Sequence, residues 1–267
     1  MIKVYESGAD LVRENQALLD TNRFLSIFFM LDGPMITHPD KVSYALRAGA
    51  GDSVLLAMKL EPYSLLLFGA PEAAGELTDF LMRNGYDVNE LLGSEPVCDS
   101  MAAWLREHYG ITYREALAMD YMQADEKTEP SCPEVEIPAA SDLDELIFLT
   151  GRFIEDCGLT DEVDPEGIRS TIGQYRILRA DGRIAAMAKI APSADFDLRI
   201  TSVYTRPEFR GQRYARRVVN TMKNEILDAG KAATLTVDKA NPVSNRLYES
   251  LGFVRVCSQG IYRRTSE

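Results

Sequence analysis

Apolar residues recur along this chain with two periods, near 3.6 and near 2, and the alternation between them predicts its elements. Leu11, Val12, Ala17, Leu18 and Leu19 predict an N-terminal helix, followed by the apolar run Phe24–Ile36, which Asp32-Gly33-Pro34 breaks as a turn. Ser53–Lys59 and Tyr63–Phe68 read as buried strands joined around Glu61-Pro62, and Ala73–Arg83 reads as a helix ending at Asn84-Gly85. Asp99 is placed to cap a helix carrying Met101, Ala102, Trp104 and Leu105, with Gly110 at its end. Ile111–Tyr113 and Leu117–Met122 follow as strands, so residues 1–124 predict a mixed α/β domain.

Both periods lapse over Ala124–Pro138, where three prolines and several acidic residues mark residues 125–138 as a linker. The pattern resumes over residues 139–267. A capping-box-like Ser141–Asp144 opens a helix with Leu143, Leu146, Ile147, Thr150 and Ile154 on one face, ending at Gly158, and a second helix spans Asp164–Ile172. Gln174–Arg179 and Arg183–Ile190 flank Asp181-Gly182, a strong hairpin signal. Leu198, Ile200 and Val203, with Thr201, Tyr204 and Thr205, make a strand that Pro207 ends. Ala215, Val218, Val219, Met222, Ile226 and Leu227 then recur at helical spacing up to Gly230. A strand at Ala233–Val237, a helix from Pro242 or Val243 to Ser250 stopped by Gly252, and strands Phe253–Val256 and Ile261–Arg264 complete the chain.

The 267 residues, 46% hydrophobic, suffice for one or two cores. A formal charge of −12 argues against general binding of nucleic acid or anionic membrane. Against that background Arg206, Arg210, Arg213, Arg216 and Arg217 form a local exception between a strand and a helix. A helix N-terminus prefers acidic residues, so arginines there suit either a phosphate-bearing ligand or a solvated basic face. Cys98, Cys132, Cys157 and Cys257 lack metal-ligand spacing and read as free thiols in a reducing compartment. His38 and His108 stand without partner motifs, which weighs against a hydrolase triad. The N-terminus has no signal-peptide pattern and Phe24–Leu31 is too short to span a bilayer, so a cytoplasmic location is expected.

The basic stretch also carries a resemblance. Arg210–Ala215, RGQRYA, resembles the pyrophosphate loop of the GNAT superfamily of N-acetyltransferases, Gln/Arg-x-x-Gly-x-Gly/Ala, and the preceding VYTRPEF is similar to that family's strand and turn. Asn241–Phe253, NPVSNRLYESLGF, resembles the family's closing element Asn-x-x-x-Asn-x-x-x-Tyr-x-x-x-Gly-Phe. The likeness covers roughly Val135 to Arg264, with one departure: Arg213 stands where the family usually has glycine. By arrangement, the N-terminal helix, Asn22–Phe24 and the two strands after them resemble a diverged GNAT-like partner half.

The resemblance implies a GNAT fold over residues 139–267, a mixed and mostly antiparallel sheet flanked by helices, preceded by the α/β domain. It implies transfer of an acyl group, most often acetyl, from acetyl-CoA as co-substrate to an amine of a small molecule, amino acid or protein, with no metal. Backbone groups of Val203, Tyr204 and Thr205 would meet the pantetheine arm, Arg210, Gly211, Gln212, Arg213, Tyr214 and Ala215 would cradle the pyrophosphate, and Asn241 and Asn245 would contact the coenzyme. Tyr248 would protonate the leaving thiolate. Asp195, Asp197, Glu155 and Asp156 are the carboxylates available as a base, and none is singled out. The first half would form a wall of the cleft or supply an interdomain or dimer surface, which leaves a homodimer open. The rival reading is a non-catalytic acyl-CoA-binding or scaffolding module.

Overall fold

The computed structural model describes residues 1–158, 162–192 and 197–265. The helices are α1 (Gly8–Glu14), α2 (Gln16–Leu19), α3 (Arg23–Asp32), α4 (Ala74–Arg83), α5 (Glu95–Tyr109), α6 (Leu143–Asp156), α7 (Pro165–Ser170), α8 (Tyr214–Asp228) and α9 (Pro242–Ser250). The strands are β1 (Lys3–Val4), β2 (Tyr44–Ala50), β3 (Ser53–Lys59), β4 (Leu65–Gly69), β5 (Glu90–Gly93), β6 (Tyr113–Ala124), β7 (Tyr175–Ala180), β8 (Arg183–Pro192), β9 (Asp197–Thr205), β10 (Ala232–Asp238) and β11 (Val254–Arg264). No helix among the described residues is long and apolar enough to cross a membrane.

The chain forms two compact units, Met1–Tyr121 with Asp238–Ala240 and Val256–Glu267, and Met122–Val237 with Asn241–Arg255. In the first, the strands run in the order β1-β2-β3-β4-β5-β11-β6. Side chains alternate along its central strands. Leu46 and Ala48, Leu55 and Ala57, and Leu65 and Leu67 pack with Leu77, Leu81, Met101 and Leu105 of α4 and α5. Ala45, Leu56 and Met58, and Leu66 and Phe68 pack with Leu11, Leu19 and Phe29 from the other side. A strand covered on both faces reads as an unbroken apolar run, which is why β3 and β4 do.

Three expectations change here. Asp99 lies inside α5, whose N-cap is Ser94 with proline in the first turn, and its carboxylate instead accepts the Tyr262 hydroxyl at 2.8 Å. The two strands expected between residues 111 and 122 are one strand, β6. The two terminal strands are likewise one, β11, whose Gly260–Arg263 pair antiparallel with Glu90–Gly93 and carry the tail into the first unit's core through Tyr262.

The second unit has strand order β10-β9-β8-β7, with β9 and β10 parallel and the other pairs antiparallel. Leu178, Ala186, Ala188 and Ile200 face Val218, Val219, Met222 and Ile226 of α8 together with Tyr248, Leu251 and Phe253. Ile177, Ile184, Met187 and Tyr204 face Leu143, Leu146, Leu149 and Ile168 of α6 and α7. The hairpin turn falls at Asp181 and Gly182, both left-handed, as an Asp-Gly turn requires.

The segment expected as a linker runs as a strap along α8. Asn220 donates to the Pro130 carbonyl (2.9 Å), Asn224 to the Glu129 carbonyl (2.8 Å), and Thr221 accepts the Cys132 N–H (2.9 Å). Lys223 is wholly buried, its ammonium donating to Thr128 Oγ1 (2.8 Å) and the Leu251 carbonyl (2.7 Å). It thereby ties strap, α8 and the end of α9 together. Lys223→Ala takes the donor from the buried Leu251 carbonyl and from Thr128 and leaves a void, so urea unfolding of the full chain is expected to show a loss of about 3 kcal/mol. An unchanged midpoint would remove Lys223 as the tie.

Candidate active site

The site begins with an irregularity in β9. Met187 of β8 pairs with Tyr204 and Lys189 with Thr201, so Ser202 and Val203 together oppose one residue. Ser202 takes the left-handed conformation (φ 51), which marks a β-bulge. A bulge bends its strand. The parallel ladder to β10 runs from Asp197↔Ala232 to Ile200↔Leu235, and the two strands part beyond it. Nothing in the residue types around Ser202 signals this, since serine has no particular preference for positive φ.

A cleft of about 1010 Å³ opens at the parting, wholly within the second unit. Val203, Tyr204 and Thr205 form one wall, Arg210, Gly211, Arg213, Tyr214 and Ala215 the rim at α8, and Asn241 and Tyr248 of the α9 region the opposite wall. Gln212 and Asn245 are not among the lining residues. Asn245 instead donates its side-chain amide to the Asn241 carbonyl at 2.8 Å, while the Asn241 side chain caps α9 by accepting the Ser244 N–H at 3.1 Å. Sequence reasoning missed Phe153, Cys157, Phe209, Leu247 and Glu129, which also line the cleft. Their spacing along the chain carries no common signal.

The N-terminus of α8 has no side-chain cap and no acid in its first turn. Its first N–H groups are therefore available to an anion. Gly211 at φ +78 has nothing within 4 Å of the position a Cβ would take, so space is left in front of the loop. Arg213 itself adopts the left-handed conformation (φ 63, ψ 21) that glycine would supply without strain. The loop keeps that shape at a cost of about 1–2 kcal/mol. In the wall, Thr205 Oγ1 is buried without a hydrogen-bond partner. An uncapped helix end and an unpaired hydroxyl in one cleft fit a ligand with an anionic end and a polar arm, as a coenzyme A thioester is.

Most of the arginines are already engaged. Arg206 binds Glu145 (2.5 Å) and the Ile184 carbonyl (2.8 Å), both contacts half-buried. Arg210 bridges from the loop to Asp156 at the end of α6 (2.6 Å) and holds the Thr205 carbonyl (3.1 Å). Arg216 pairs with Glu129 of the strap and with Ser250, and Arg217 with Glu134 (3.1 Å). The Arg216 hydrogen bond holds the Glu129 carboxyl below the usual range.

Tyr248 is 6% exposed and packs edge-on against Phe253, ring centroids 6.0 Å apart, while still lining the cleft. Burial raises its pKa well above the ordinary value, with Cys157 adding to the effect. Of the candidate bases, Asp156 lines the cleft but is held by Arg210 and faces Arg152 at 3.8 Å. Glu155 pairs with Arg152 and is absent from the lining. Asp197 is buried and accepts the Thr234 hydroxyl at 2.8 Å, and Asp195 lies outside the described residues.

The second unit is thus a helix-flanked mixed sheet whose parallel strands part beside an uncapped helix end. Residues 143–253 match the acetyltransferase (GNAT) family. Among curated proteins none matches the chain. In fold the chain is similar to a GNAT-family acetyltransferase from Colwellia psychrerythraea, at 14% identity over 100% of both chains and a TM-score of 0.68. It is also similar to a GCN5-related N-acetyltransferase from Sphaerobacter thermophilus, at 14% identity over 100% of this chain and 96% of that one, TM-score 0.63. A tandem GNAT protein from the clavulanic acid biosynthesis pathway matches at 11% identity over 100% and 99%, TM-score 0.53, and fits a two-half architecture.

Since space in front of Gly211 is open, its φ alone penalises a side chain. Gly211→Ala is expected to cost about 1 kcal/mol in thermal unfolding, within the strain of a left-handed L-residue. No change would mean the loop relaxes freely.

Proposed function

We propose that the second unit transfers an acyl group, most simply acetyl, from acetyl-CoA to the amine of a small molecule, amino acid or protein. The observation that carries this reading is the parting of β9 and β10 beside the uncapped end of α8, with Tyr248 in the opposite wall. The thioester supplies an acyl carbon already activated toward amines. Backbone N–H groups of residues 210–215 hold the pyrophosphate with the helix dipole, and the free edge of β9 at Val203–Thr205 bonds the pantetheine arm as a further strand would. Asn241 lies along the same path.

Tyr248 holds its proton at neutral pH, as any phenol does, and burial extends that range further upward, which is the state a donor needs. As the amine nitrogen bonds the acyl carbon and the C–S bond breaks, the phenol passes its proton to the departing sulfur, the acylated nitrogen gives up its extra proton to solvent, and solvent returns one to the phenolate. The amine must enter neutral. Every described carboxylate considered above is engaged by arginine or a hydroxyl, so the amine loses its proton to solvent. Rate at low amine concentration is then expected to rise about tenfold per pH unit until the free amine's own pKa, with no earlier plateau from an enzyme base. A plateau near neutrality would require a base on the protein.

Tyr248→Phe tests the donor. Turnover, followed as thiol release, is expected to fall about 100-fold or more while the acetyl-CoA Kd by calorimetry stays within roughly threefold. Equal losses in both would make Tyr248 a packing residue. Gly211→Glu, which puts bulk and negative charge before the phosphates, is expected to abolish acetyl-CoA binding. The engagement of the carboxylates also favours a second reading, a module that binds acyl-CoA without turnover. Micromolar acetyl-CoA binding with no thiol release across a panel of amines would establish that one.

A further inference from the structure

Resting on the coenzyme-binding reading above, we propose that Arg213 recognises the 3′-phosphate of coenzyme A and makes this chain select the phosphorylated coenzyme over dephospho-coenzyme A. The loop and first turn of α8 carry arginines at 206, 210, 213, 216 and 217. Four are matched one to one with carboxylates: Arg206 with Glu145, Arg210 with Asp156, Arg216 with Glu129 and Arg217 with Glu134. Arg213 has no hydrogen-bond or ion-pair partner among the described residues. It is exposed and lines the rim of the cleft. Each of these four cations has a carboxylate in direct contact, whereas the fifth has only a longer-range attraction to Glu129, which Arg216 already holds.

Its backbone sharpens the point. Arg213 sits at φ 63, the N-cap of α8, a position where a side chain is a liability to the fold. A long cation retained there, unpaired, at the mouth of an anion-accepting cleft points to a ligand charge. Coenzyme A offers two kinds. The pyrophosphate is flanked on both sides and suits the backbone N–H groups of the loop, which donate one bond each. The 3′-phosphate is a terminal monoester with free oxygens and close to two negative charges at neutral pH, which suits the bidentate guanidinium fork. It also lies at the coenzyme's end remote from the thioester, where a rim residue would meet it.

The test uses calorimetry on the full chain with coenzyme A and dephospho-coenzyme A at one fixed ionic strength. The wild-type chain is expected to bind coenzyme A about tenfold tighter. Arg213→Gln, which keeps a side chain at the strained position, and Arg213→Gly, which relieves the strain, are both expected to bring that ratio to about one, with the dephospho-coenzyme Kd moving by less than about threefold. Equal wild-type affinities would overturn the proposal while leaving the coenzyme reading intact. A parallel loss for both ligands would also overturn it, assigning Arg213 to the shared pyrophosphate or to loop shape. Binding of neither ligand by the wild-type chain would remove the coenzyme reading and this proposal with it.

Discussion

The candidate site depends on one interruption of hydrogen bonding, the end of the β9–β10 ladder at Ile200 and Leu235. Buried backbone donors and acceptors are almost always paired, so two strands that part within a packed domain leave groups that something must satisfy. The bulge at Ser202 and Val203 makes the parting compatible with continued pairing to β8. One strained residue on one edge of β9 therefore opens the other edge. An arm rich in amides is the natural occupant of such an edge, because it offers both partners of a ladder.

Helix α8 serves three surroundings at once, and this explains a composition that a simple amphipathic reading leaves puzzling. Val218, Val219, Met222 and Ile226 face the core. Asn220, Thr221, Lys223 and Asn224 are also buried, because the strap covers them and supplies carbonyls and hydroxyls for their donors. The first turn is left for the cleft. The same strap delivers Glu129 to Arg216, so the segment between the halves helps set the charge at the rim. Breaking one of these buried contacts leaves its partner unsatisfied, which makes the arrangement cooperative.

Charge in the site is much more nearly balanced than the spacing of arginines along the chain conveys. Carboxylates from α6 and from the strap converge on the basic stretch from up to 87 residues away. What is left without a direct partner at the rim is the backbone at the start of α8 and the Arg213 guanidinium. Tyr248 has the complementary character, a neutral phenol packed among apolar groups yet still lining the cleft wall.

Much of the fold was legible along the chain, because it rests on local rules. The apolar run over Ser53–Lys59, the Asp181-Gly182 turn, the spacing from Ala215 to Leu227 and the stop at Gly252 each express a backbone geometry that neighbouring residues impose. Residues of the RGQRYA and NPVSNRLYESLGF stretches line the cleft, and each stretch is one continuous segment. Gln212 and Asn245 were assigned with their neighbours, yet they fall outside the lining, because alternate positions on a turn or helix point different ways. The role of Asp99 was misread because proline at Pro96 starts the helix earlier, and its hydroxyl partner, Tyr262, stands 163 residues further on. The sequence by itself thus determined the elements, their order and the loop chemistry. The tertiary structure alone decided the bulge at Ser202, the burial of Lys223, the pairing of four arginines and the freedom of the fifth, because each depends on groups that meet only when distant segments pack.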